Sequence, residues 1–349
     1  MERLPRMSRR LFAGTSVLAA ATFSCPALHA QSQPETRKIT IAVGNKAAFY
    51  SLPLTISEQL GYFRAEGLTV AISNHETGVQ AVQALIGKSA DICLAGFEHI
   101  IHLQAAQQMV QSFVLLGRAP QIAFGVSTRS FPRYKPIAEL KGKKIGVAAL
   151  ESASTLMACM VLAQGGLKAG DVNFLEVGDA ENVLSVLRSG QVDAISHTDP
   201  LMTILEQKGE VRIISDARTL KGTTELYGGP MPAACLFAPL EFIRKNPNTC
   251  QALANAMVRG LKWLQTAGPG DIIKTVPENY LLGDRGLYIA SFNKVRESIS
   301  LDGILADEAA PTALKAIAGF DPSVKVGRID LSKTYTNAFA QRAKERFKA

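Results

Sequence analysis

The apolar residues of this chain fall in short runs, punctuated by glycine and aspartate, that alternate between two periodicities. KITIAVG (38–44) is nearly continuous in its apolar character, as expected of a strand covered on both faces. LPLTISEQLGYF (52–63) reads as a helical segment, Gly67 interrupts it, and LTVAIS (68–73) predicts a second strand. VQAVQALIG (79–87) predicts a further helix, and Asp91 leads into the strand DICLAG. Strand, helix, strand, helix, strand with short connections implies a parallel sheet covered by helices.

About a hundred residues later the order recurs. KKIGVAA (143–149) matches the first strand, MACMVLAQGG the first helix and VNFLEV the second strand. ENVLSVLRSGQVDAIS then repeats helix, glycine, aspartate and strand. Asp193 follows Asp91 by 102 residues, and Leu187 follows Leu85 by the same interval. Matched order, spacing and punctuation predict two similar α/β lobes. Pro120–Arg129 leaves the first unit and Gly228–Ile243 leaves the second, so both read as extended crossovers, with a helical C-terminal third returning to the first lobe. Two lobes on a two-strand hinge can close over a ligand held at the carboxyl ends of the strands.

The first thirty residues break the pattern. Arg3, Arg6, Arg9 and Arg10 precede the apolar run Leu11–Phe23, which is shorter than the ~20 residues a spanning helix needs, and PALHA closes the segment at Ala30. This is the form of an export leader, and Ser8-Arg9-Arg10-Leu11-Phe12 resembles the twin-arginine variant. Cys25 lacks the Leu three residues upstream that a lipoprotein signal carries. Loss of the leader's four Arg and one Glu lowers the net charge from +8 to +5. The remaining Lys and Arg are scattered, so nucleic-acid binding is not expected, and a mildly positive field suits small anions. Cys93, Cys159, Cys235 and Cys250 form no CxxC pair and read as buried small hydrophobes, although an oxidising compartment would permit a bridge.

The runs LPLTISEQLGYFRAEGLTV, GVQAVQALIGKSADICLAG, LKGKKIGV and VLRSGQVDAISHTDP resemble the nitrate/sulfonate/taurine group of ABC-transporter substrate-binding proteins, a pattern shared by binders of the thiamine-precursor pyrimidine. The resemblance covers most of the chain beyond the leader and weakens after about Trp263. It implies a two-lobed α/β type II periplasmic binding fold, its parallel-sheet lobes joined by a two-strand hinge. It implies residues 36–122 and 234–349 in the first lobe, 123–233 in the second, and export of the chain to the periplasm. A small organic anion, sulfonate or carboxylate, is the expected solute, with permease transmembrane subunits as partners. No cofactor, no metal and no catalytic residue is expected. A monomer is expected too, since lobes that close must keep their cleft free.

In that architecture the strand-to-helix loops face the cleft. They present Asn45, Lys46, Phe49 and Tyr50, then Thr77 and Gly78, then Gly96, Phe97, Glu98 and His99 from the first lobe. Ser152, Ser154, Thr155, His197 and Asp199 come from the second. Thr77, Ser152 and Ser154 suit either ligand contact or helix capping. Lys46 either faces an anion or is solvated, and Phe49 either packs a ligand or the core. Asp199, before Pro200, either binds ligand, locks the lobes together or caps the next helix. Glu98 either accepts a ligand N–H or caps a helix, IIHLQAAQQMV, which His102 supports. Glu98, His99 and His102 are the only seed for a metal site, but EHxxH matches neither HExxH nor HxxEH. An enzyme of the pyrimidine-synthesis branch is the competing class. Export argues against it, and no GxSxG, HExxH or phosphate-binding glycine loop ending in Lys is present.

Overall fold

The computed structural model describes residues 33–133, 136–178, 180–281 and 283–349. The expected leader lies outside them. Residues 33–349 form one compact unit.

Among the described residues, ten strands are arranged in two five-stranded sheets. The first contains β1 (Lys38–Gly44), β2 (Thr69–His75), β3 (Ile92–Gly96) and β4 (Val110–Leu115). β5 (Ile122–Ser127), β6 (Lys144–Val147), β7 (Asn173–Glu176), β8 (Ala194–Thr198) and β9 (Val211–Asp216) make the second, and β10 (Ala234–Pro239) returns to the first. The strand orders are β2-β1-β3-β10-β4 and β7-β6-β8-β5-β9, the same plan twice.

The repeated aspartate has a structural role. Asp91 accepts the N–H of Thr40 at 2.8 Å, and Asp193 accepts that of Lys144 at 3.1 Å. Each carboxylate, standing just before β3 or β8, therefore ties that strand to its neighbour, β1 or β6. Leu85 and Leu187, on the preceding helices, are both buried in the cores.

The parallel sheets expected from the pattern are mixed. β5 runs antiparallel between β8 and β9, and β10 antiparallel between β3 and β4. Each crossover strand enters the far sheet from the opposite end, which reverses its direction. The two crossovers also bond to each other: Gly117 N–H donates to Ala234 O and Ala233 N–H to Gly117 O, both at 2.9 Å. The helix expected through Val110 ends at Ala105, because Gln107 turns left-handed at φ 62° and Val110 begins β4.

One core cluster joins Ile39, Leu54 and Phe113 to Leu253, Met257 and Phe292, so the C-terminal helices cover the first sheet. Trp263 is partly buried against that cluster. Among the described residues, Cys93, Cys159, Cys235 and Cys250 are free and buried. No helix of the described residues is long and apolar enough to cross a membrane.

Candidate functional site

A cavity of about 460 Å³ opens where β1 and β3 of one sheet end opposite β6 and β8 of the other. Its first wall starts at Asn45, which takes φ 57° and donates its N–H to His75 O at 2.7 Å. Gly44 is needed just before it, because a Cβ there would collide with the backbone of Thr77 and Gly78. Thr77 caps the Gly78–Ile86 helix through Gln80 N–H at 3.3 Å. Tyr50 donates its hydroxyl to Gly44 O.

Glu98 begins the Glu98–Ala105 helix, and its carboxylate folds back over Gly96 so closely that a Cβ on that residue would strike both oxygens. Only 4% of Glu98 is exposed. It stands 3.6 Å from His99 Nε2 and accepts no hydrogen bond from the described residues.

The second wall is the start of the Ala153–Gln164 helix. Ser152 Oγ lies 2.7 Å from Ser154 Oγ and donates to Ala149 O at 2.6 Å, while Ser154 Oγ accepts Ala148 N–H at 3.0 Å. His197 Nε2 lies 3.0 Å from Gly178 O. The hinge closes the floor with Pro120, Ile122, Met231 and Pro232, and Tyr227 stands beside them.

The first N–H groups of any helix lack an intrahelical acceptor. Here those of Gly78, Glu98, His99, Ala153 and Ser154 bond to no other described residue and belong to lining residues. Three helix N-termini with partial positive charge thus share one cavity. Among the described residues, no Lys or Arg lines it.

Burial, joined by the Glu98 charge, pushes the Tyr50 and Tyr227 phenols above their ordinary 10, so both stay protonated. Burial holds His99 below its ordinary 6.5, and Glu98 and Glu151 oppose this only in part. The folded protein therefore binds fewer protons at His99 than the unfolded chain, and stability is lost as pH falls through 6.5. We expect the ligand-free Tm to drop more between about pH 7.5 and 5.5 in the wild type than in His99→Gln. Equal drops would remove this role.

Of the residues expected to face a ligand, the cavity gathers Asn45, Tyr50, Thr77, Gly78, Gly96, Glu98, His99, Ser152, Ser154 and His197. It excludes five. Lys46 turns to Glu58 at 2.6 Å, because the helix starting at Leu52 brings that carboxylate beneath it. Phe49 is 1% exposed and packs on Tyr288 and Phe292 in the core. Phe97 is fully buried under the hinge, its N–H bonded to Ala233 O at 2.9 Å. Thr155 spends its hydroxyl on Ala149 O at 2.8 Å. Asp199 caps the Leu201–Gln207 helix through Thr203 and pairs with buried Arg218 at 3.4 Å. His102 pairs with Asp321 at 3.1 Å, so the Glu98, His99, His102 triplet does not converge. No group of three His, Cys, Asp or Glu among the described residues is arranged to hold a metal.

Pro120, Ile122, Met231, Pro232 and Tyr227 went unrecognised as lining residues. The run GGPMPAA marks a crossover but carries no sign that it floors a cavity. His75 belongs to a loop expected at the cleft without being singled out, and Asn182 lies one residue past the loop expected from Gly178 to Glu181.

Two sheets of identical strand order, linked by paired crossover strands with a cavity between their carboxyl edges, define the periplasmic binding protein fold. The chain belongs to the NMT1/THI5-like family, whose profile matches residues 48–267. A solved structure from Bordetella bronchiseptica RB50 is 48% identical, with a TM-score of 0.87 over 90% of this chain and 99% of its own. The alkanesulfonate-binding protein SsuA of Xanthomonas axonopodis pv. citri, bound to MOPS, shares the fold at 19% identity and TM-score 0.69, covering 87% of this chain and 99% of its own. The 4-amino-5-hydroxymethyl-2-methylpyrimidine phosphate synthase of Schizosaccharomyces pombe is 28% identical over 64% of either chain.

Proposed function

We propose that this protein is the periplasmic solute-binding component of an ABC importer, which captures a small organic molecule with an anionic end by closing its two lobes on it. The observation that carries this reading is the convergence of three helix N-termini, with unbonded N–H groups, on one cavity between the lobes. Such N–H groups are a ready site for sulfonate or carboxylate oxygens and leave them no proton to exchange. The hinge strands are the natural pivot, with 36–122 and 234–349 moving against 123–233. The basic, apolar leader supplies the route to the periplasm, and permease subunits are the partners that receive the solute. The relationship to the sulfonate-binding SsuA fold supports the same assignment.

A binder of a thiamine-precursor pyrimidine is the second reading, favoured by the relationship to the yeast pyrimidine phosphate synthase. Turnover is not part of either reading. Native mass spectrometry of protein purified from a periplasmic extract is expected to show one small molecule bound per chain, released on unfolding and chemically unchanged. Ligand-free protein together with a compact, unchanging scattering profile across solute screens would defeat the receptor assignment.

A further inference from the structure

The helix N-termini account for the anionic end of a solute, but not for the acidic group beside them. Glu98 is 4% exposed and lines the cavity, yet accepts no hydrogen bond from the described residues. Tyr227 is 7% exposed, lines the same cavity, and its hydroxyl is likewise unbonded among them. A buried carboxylate left without a donor is costly. The nearby imidazole does not relieve it: burial disfavours the charged form of His99, and its Nε2 stands at 3.6 Å, beyond hydrogen-bond reach. Capping does not account for it either, since the carboxylate turns back over Gly96 rather than onto the first N–H groups of its own helix.

From this geometry we propose that Glu98 is a specificity-determining residue that accepts an N–H of the solute, so that the ligand is bipolar. An amine or amino-substituted ring edge meets Glu98 at one end, with Tyr227 alongside, and an anionic or electron-rich group meets the helix N-termini at the other. The inference rests on the solute-binding reading above and narrows it: a plain sulfonate, carboxylate or nitrate satisfies the N–H groups and leaves Glu98 unpaired and repelling. The absence of Lys and Arg from the described lining fits the same division, because a charge-neutral pair of ends needs no cationic side chain.

The test uses the full exported chain, stripped of bound ligand, and matched probes that differ by an amino group: taurine against ethanesulfonate, β-alanine against propanoate, 4-aminobenzoate against benzoate. Thermal shift and calorimetry on the wild type should favour the amino member of a pair by about ten- to a hundredfold, the range of one charge-assisted hydrogen bond. Glu98→Gln should erase that preference while leaving the ligand-free Tm unchanged or higher, since the amide keeps the side chain's shape and is less costly to bury than a carboxylate. Plain anions bound as tightly as their amino partners, or more tightly, would overturn the inference and leave the solute-binding reading standing. A ligand-free Tm several degrees lower in Glu98→Gln would make the carboxylate structural and overturn it equally. A wild type that no probe stabilises counts against the solute-binding reading, and the ligand-free Tm of Glu98→Gln then decides the role of the carboxylate alone.

Discussion

Arg218→Met is expected to cost about 3–5 kcal/mol of folding stability, the usual penalty for removing one partner of a buried ion pair. The guanidinium is 1% exposed and gathers three carboxylates. It reaches Asp216 at 2.6 Å, Glu206 at 3.3 Å and Asp199 at 3.4 Å. Asp216 and Glu206 are more than a third exposed and can fall back on water, so the loss is concentrated at Asp199, which is fully buried. Burial already raises the Asp199 pKa above its ordinary 3.8, and Arg218 and the Thr203 hydrogen bonds hold that rise back. Without Arg218 the rise is unopposed by charge. A carboxyl whose folded pKa is raised loses stability as pH climbs through that value. The deficit of the variant should therefore narrow as the solution is acidified toward pH 4 and widen toward neutrality. Urea unfolding at several pH values measures this, and adding Asp199→Asn should recover much of the loss. A deficit under about 1 kcal/mol at neutral pH would mean that Asp199 is not uncompensated in the variant.

Phe49→Ala should cost a comparable amount, about 3–5 kcal/mol, for a different reason. The ring is 1% exposed, with Tyr288 at 4.8 Å and Phe292 at 6.1 Å between centroids, so truncation opens a cavity between the first sheet and the C-terminal helices. Its neighbour Tyr50 faces the cavity instead, and Tyr50→Phe removes one hydrogen bond, worth about 0.5–1.5 kcal/mol. Denaturant midpoints for the two variants should differ widely, whereas solute affinity of the folded protein should change at position 50 and hold at position 49. The opposite ordering would restore Phe49 to the ligand surface.

The same turn shows how far the pattern of residues can be read. Both aromatics stand after the first strand, and nothing in AAFYS tells which ring enters the core; the three-residue turn Phe49–Ser51 decides it by rotating one inward and the other to the cavity. Lys46 was legible as a cation beside the cleft, but its partner Glu58 sits a helix later, and that pairing exists only once the helix folds back. Asp199 was legible as a helix cap. Its ion pair was not, because Arg218 lies nineteen residues on, beyond β9, in a stretch with no motif. β4 and β9 also went unread: of MVQSFVLLG only Met109 and Val110 were read, as the tail of a helix, and VRIISD is a short run that only its place at a sheet edge makes a strand.

What the sequence determines by itself is the repeated unit: strand and helix order, the glycines and aspartates that punctuate it, and hence the loops at the strands' carboxyl ends. Those are local properties, set by side-chain periodicity and backbone preference within a dozen residues. The tertiary structure decides which of those loop residues share a cavity, that the crossover strands reverse direction and floor it, and that Glu98 lies buried over Gly96 without a hydrogen bond from the described residues. These depend on groups brought together across the hinge from distant parts of the chain, and the free energy of a buried carboxylate is fixed by its surroundings, which no local pattern of residues encodes.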